Sequence, residues 1–208
     1  MFAILDTFFQ WLEEFSSSPS FYLIIFGVAL MDSVIPIVPS ETMVIIAGVS
    51  AGSGKLFLPL VIISAASGAF TGDNLSYLIG RSASARITRY YERKEKGRKR
   101  LEWAHTQVQE RGGLLLVTAR FIPGGRTIVT LSCGITNQTH QWFAKWALLA
   151  GSIWATYASL LGYIGGKTFG DNHALAFLVA FGLAVSVTVV IELLRAARKK
   201  RTGNPIVK

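Results

Sequence analysis

Four ionisable residues stand where an apolar sequence has least room for them. Asp32 and Glu41 lie in "MDSVIPIVPSE", between the apolar runs "FYLIIFGVAL" and "TMVIIAGV". Arg120 and Arg126 lie in "RFIPGGRT", between "LLLVTA" and "IVTLSCGI". A charge at the centre of a bilayer costs ~2.5–3.5 kcal/mol on insertion scales, so such residues are paired or mark a pathway. Two readings follow. In one, the acids and arginines are structural ion pairs that clamp the two segments together. In the other they form a site. An arginine fork matches phosphate oxygens and keeps its charge, and a carboxylate in apolar surroundings can take up and release a proton.

Neighbouring residues add to the second reading. Pro123, Gly124 and Gly125 expose backbone N–H groups just before Arg126 and Thr127, and a helix starting there presents its positive end to an anion. The same glycines would also make a hairpin tip. Asp73, in "TGDN", is a fifth charge within an apolar run; it either works with the other four or bonds a neighbouring broken helix. "AGVSAGSGKLF" is not a nucleotide-binding loop, because Val49 stands where the first glycine is needed and Leu56 where Ser or Thr must follow Lys55. Trp142, Trp146 and Trp154 read as interfacial anchors and packing. His105, His140 and His173 have no metal-ligand spacing, and the single Cys133 allows no internal disulfide. No metal and no cofactor is expected.

The elements that must position these charges are those of a membrane protein. Of 208 residues, 51% are hydrophobic and only 16% charged, against about 25% charged in soluble domains. The N-terminus has no positive n-region, so no cleaved signal peptide is expected. Residues 1–20 read as an interfacial amphipathic helix. Residues 21–50 are two apolar arms around Pro36 and Pro39, each too short to cross a ~30 Å hydrocarbon core. Residues 56–80 make a full span, 81–111 a basic loop, 114–135 a second broken segment and 143–166 a second span. A third span at 174–194 precedes a basic tail at 195–208. Broken backbone is tolerated in lipid only inside protein or beside a wet cavity, so both broken segments are expected to be re-entrant hairpins packed in the middle of the molecule.

An internal repeat orders them. "YLIGR" ends the first span and "YIGGK" the second, 86 residues later, and the same offset carries Pro36 to within one residue of Pro123. Net charge is +9, with ten of the 21 Lys and Arg in 81–111 and six more in 195–208. The positive-inside rule makes both stretches cytoplasmic, and a nucleic-acid role for them is set aside. The expected fold is an all-α polytopic membrane protein. Two inverted repeats, each a re-entrant broken hairpin plus a transmembrane helix, are followed by a C-terminal transmembrane helix. The C-terminus is cytoplasmic, and the site is near the midplane.

These motifs resemble the DedA family, whose shared module is the VTT domain. The resemblance rests on the acid followed by "IPIVPSE" and "AG", on "GDNLSYLIGR", on "ARFIPGGRT" and on "GYIGGK", and covers about residues 30 to 167. Thr130 stands where the family often has Pro, Cys133-Gly134 where it often has Ala-Gly, and Asp32 where many members have Glu. The resemblance implies a bacterial inner-membrane protein that moves undecaprenyl phosphate, with two functional acids at Asp32 and Glu41 and two functional arginines at Arg120 and Arg126. The leading expectation is a proton-linked flippase for a polyprenyl phosphate. Arg120, Arg126, Thr127, Gly124 and Gly125 would bind the headgroup, and Asp32, Glu41 and Asp73 would couple protons or gate. The alternative is a proton-coupled antiporter of small cations or drugs. An enzyme is not expected, because no buried histidine accompanies the arginines. The expected partners are the bilayer, the lipid substrate and protons, and a homo-oligomer is left open.

Overall fold

The computed structural model describes residues 20–35, 40–92, 106, 108, 112–120, 125–168 and 182. The interfacial helix at 1–20, the third span at 174–194, the basic tail and most of the basic loop therefore lie essentially outside the described residues. Among the described residues there are six helices and no strand: α1 (Ser20–Val34), α2 (Ser40–Gly52), α3 (Leu58–Glu92), α4 (Leu114–Ala119), α5 (Gly125–Ile135) and α6 (His140–Thr168).

The breaks fall where the sequence puts its breakers. α1 ends just before Pro36, a residue that disfavours helix in the one preceding it. α2 and α5 stop alike. After α2, Gly54 (φ 80°) is left-handed, its N–H bonds Ala51 O and that of Lys55 bonds Ser50 O. After α5, Asn137 (φ 54°) is left-handed, its N–H bonds Gly134 O and that of Gln138 bonds Cys133 O. Both are the paired 5→2 and 6→1 bonds of a Schellman cap.

α3 differs from expectation. The apolar run ends near Gly80, yet the helix continues to Glu92. "RSASARITRYYE" is charged but has neither Gly nor Pro, so leaving the apolar region does not stop the helix. Only α6 among the described helices is both long and apolar enough to cross a membrane by length and composition; the "TGDN" insert dilutes α3.

Small residues set the packing. α1 lies along α3 in parallel: Cβ atoms on Gly68 and Gly72 would overlap the backbone at Phe26 and Leu30, and Ser76 Oγ donates to Ser33 O (2.8 Å). α2 lies parallel to α6, with Gly48 against Ser159 and Gly162, and Gly52 against Tyr163 and Gly166. α5 lies parallel to α3, with Gly134 against Tyr77 and Gly80, and Ser84 Oγ donating to Ile135 O (2.6 Å). α3 and α6 cross antiparallel: Tyr77 stacks on Phe143 (centroids 4.5 Å), while Ala66 and Ala69 approach Gly151. It follows that α1 and α2 are antiparallel to each other. α2 packs on the long helix of the other half, and so does α5. This is the small-residue association that serves helices lacking a hydrophobic drive between them.

The two Tyr-x-x-Gly-base signatures make the same local contact. Arg81 sits over the Tyr77 ring and Lys167 over the Tyr163 ring, each 6.0 Å from the centroid.

Candidate functional site

The last turn of α1, the starts of α2 and α5, the end of α4 and the middles of α3 and α6 meet in one region. α1 brings Asp32, α2 brings Ser40 and Glu41, α3 brings Asp73, the end of α4 brings Arg120, and α5 brings Arg126 and Thr127. Local structure explains the convergence. Asp32 lies in the last turn of α1 and Glu41 in the first turn of α2, Arg120 caps α4 and Arg126 lies in the first turn of α5, so each charge is carried at the end of a helix.

Two ion pairs organise the centre. Arg120 Nη2 binds Asp73 Oδ2, and both side chains are fully enclosed (1% and 2% exposed). Arg126 Nη2 donates to Asp32 Oδ2 at 2.9 Å in a more open setting (11% and 20%). Asp73 also reaches the second arginine, with Oδ1 3.7 Å from Arg126 Nε. One carboxylate thus stands between two guanidinium groups, an arrangement in which neither cation is left unpaired in a medium that screens poorly. Ser40 Oγ donates to Asp32 Oδ2 as well.

Asp32 occupies a place built for an anion. Its carboxylate is held by an arginine in the first turn of α5 and by the hydroxyl of the first residue of α2, where unpaired N–H groups favour negative charge. Arg120 has spare capacity: its Nε and Nη1 have no hydrogen-bond partner among the described residues, and its guanidinium carbon lies 5.7 Å from the Trp154 ring centroid. Asp73 Oδ1 likewise accepts no hydrogen bond among the described residues. Buried donors without partners are uncommon and call for an explanation.

All the sequence-derived site residues that are described converge here, with differences in role. Thr127 is buried and donates to Ser33 O (3.3 Å), so in this conformation it ties α5 to α1. Gly125 is the first residue of α5, and Gly124 lies outside the described residues. Glu41 is half-buried, within electrostatic reach of Asp32 and Tyr157, and makes no ion pair among the described residues. Of the anchoring and packing expected of Trp154, the structure shows packing: it is buried beside Arg120 in the middle of α6. Its position about midway along a 29-residue helix was the available signal. Ser33, Ser40, Ser76 and Ser159 were missed, because an isolated serine on an apolar helix has no sequence signature. Among the described residues no group of three or more His, Cys, Asp and Glu is arranged to hold a metal ion.

The class defined by this arrangement is an all-helical membrane protein with two interrupted helical segments whose charged ends meet in its interior. The chain belongs to the DedA family: the VTT domain model matches residues 35–164, which contain almost all of the charged centre. It is 30% identical to inner membrane protein YohD of Escherichia coli over 77% of this chain and 85% of that one. It is 25% identical to protein DedA of E. coli (85% and 84%) and 30% identical to undecaprenyl phosphate transporter A of Staphylococcus aureus (72% and 76%). No solved structure matches the chain.

Proposed function

We propose that this protein carries a polyprenyl phosphate of the undecaprenyl type across the cytoplasmic membrane, linked to proton movement. The observation that carries this reading is the Arg126–Asp32 pair. It is a partly exposed arginine fork at the start of a helix, holding a carboxylate where a phosphate would fit. Arg126 exchanges Asp32 for the phosphate, Ser40 offers its hydroxyl to the same oxygens, and the enclosed Arg120–Asp73 pair holds the framework. The isoprenoid tail stays in the lipid. The name of the S. aureus relative supports the substrate class.

Charge balance supports the proton link. Asp32, Glu41 and Asp73 set three carboxylates against Arg120 and Arg126. A phosphate entering this centre with every acid ionised would add anion to anion, so uptake of protons by Asp32 or Glu41 goes with binding. Glu41, free of an ion pair among the described residues, is the acid best placed for this. The same feature supports the second reading, a proton-coupled antiporter of cations or drugs.

The inverted-repeat plan is part of the proposal. Antiparallel α3 and α6, each receiving an arm from the opposite hairpin and each carrying a base over a tyrosine ring, support it. The hairpins then enter from opposite faces, and the C-terminus is cytoplasmic. The test is binding by the purified protein of polyprenyl monophosphate against the uncharged polyprenol. Preference for the phosphate, lost in Arg126→Ala, is expected. Equal binding of both lipids would refute a phosphate site.

A further inference from the structure

The two halves are related in sequence by one register and in space by another. Ala47-Gly48 follows Ile35-Pro36 in the first hairpin nearly as Cys133-Gly134 follows Ile122-Pro123 in the second, Gly48 standing 12 residues after Pro36 and Gly134 11 after Pro123. Gly48 stands 32 residues before Gly80, and Gly134 stands 32 residues before Gly166. Equivalent hairpin glycines should therefore sit at equivalent points on the opposite long helices. They do not. Gly134 abuts Tyr77, Gly80 and Arg81, the signature of α3. The matching signature on α6 (Tyr163, Gly166 and Lys167) is met by Gly52, whereas Gly48 lies one turn away against Ser159, Gly162 and Tyr163. The long helices agree: Gly166 meets Val49, but Gly80 meets Leu131, where the repeat would put Ile135.

The displacement is thus four residues, or about 6 Å along the helix axis. Because α3 and α6 are antiparallel, bringing each half into the other's register moves α2 toward the Thr168 end of α6 and α5 toward the Leu58 end of α3. These ends lie on the same side of the molecule. Both hairpin arms would shift together, in keeping with Arg126 of α5 and Ser40 of α2 both donating to Asp32 Oδ2.

We infer that α2 and α5 slide as a unit by one helical turn along α6 and α3, and that the conformation described is one of two end states, the other having the two registers exchanged. The inference takes from the proposed transport only that the site opens alternately to two sides, which in inverted repeats is largely the movement of one bundle against another. One-turn ratchets between packed elements are a known mode of switching. The contact surface suits one here. Gly48-x-x-x-Gly52 faces Gly162-x-x-x-Gly166, so a four-residue step again sets small residues against small residues. On the other side Gly134 faces Gly80, and Thr130 and Ser76, four residues before each, are already fully buried. The step carries the charged arms past Asp73, which is fixed on α3 and can pair with either arginine.

Two spin-label pairs on a Cys133→Ala background test this by distance, whatever the substrate. One pair is Ser53 at the end of α2 with Lys145 on α6; the other is Ile128 on α5 with Phe57 before α3. The protein is placed in vesicles with and without polyprenyl phosphate, between pH 5 and 8. Two populations are expected, with the first distance longer by about 6 Å and the second shorter by about 6 Å in the exchanged state. One unchanged distance in both pairs under every condition would overturn the sliding, as would changes of the same sign. Lipid flux measured in the same vesicles reports separately on the transport reading.

Discussion

Asp32 and Asp73 are both paired to arginines, but the settings differ, and so should the consequences of breaking each pair. Arg126 meets its partner in a partly open position, so Arg126→Lys should insert and fold yet bind polyprenyl phosphate roughly tenfold or more weakly, because an ammonium cannot make a planar two-point contact. Arg126→Ala should be weaker still by the same titration. Arg120 is enclosed with Asp73, and removing one partner of a buried pair costs on the order of 3–5 kcal/mol. Arg120→Gln should therefore first lower thermal stability and abundance, with partial recovery when Asp73→Asn is added. Thermal unfolding of the single and double variants in detergent measures this; an Arg120→Gln protein as stable as the parent would contradict the framework role. Glu41→Gln should fold normally, since no ion pair is lost among the described residues, and its transport should be strongly reduced and no longer vary with pH. Full, pH-dependent transport by that variant would remove Glu41 from proton coupling.

At the scale of elements, the close approaches at glycine carry the prediction. A Cβ at Gly80 would meet the backbone of Leu131, and one at Gly166 that of Val49, and neither backbone can step aside as a side-chain tip can. Gly80→Val and Gly166→Val should each lower stability by at least the ~1–3 kcal/mol typical of overpacking, read as a fall in melting temperature. The breaks themselves were legible in the sequence. Pro36, Pro39 and Pro123 lack a backbone donor and stand between the described ends of α1 and α2 and of α4 and α5, where the charges lie. The two Tyr-x-x-Gly-base endings were legible too, because tyrosine, glycine and base each have a distinct place there. What could not be read was pairing across helices. Asp73 is central because α3 turns that side toward both arginines, and rotation about a helix axis leaves no mark in an almost uniformly apolar run. Nor could the end of α3 be read, since charge marks where an apolar run stops and says little about where helix stops.

At the scale of the whole molecule, transport requires that the charged centre be reached from both sides of the membrane in turn. With Cys133 replaced by alanine, a single cysteine at Ser53 should react with an impermeant thiol reagent from outside intact cells, and one at Thr139 only after the membrane is opened. Reaction of both from the same face would contradict the inverted plan. The central claim is that the charged centre moves a lipid phosphate, and the most direct measurement is flux. Purified protein is reconstituted into vesicles with labelled polyprenyl phosphate, and the fraction of headgroup reaching the opposite leaflet is followed with time. The account predicts transfer well above that of protein-free vesicles, accelerated by a pH difference, and abolished in correctly folded Arg126→Ala. Transfer no faster than in empty vesicles, or undiminished in Arg126→Ala, would contradict it.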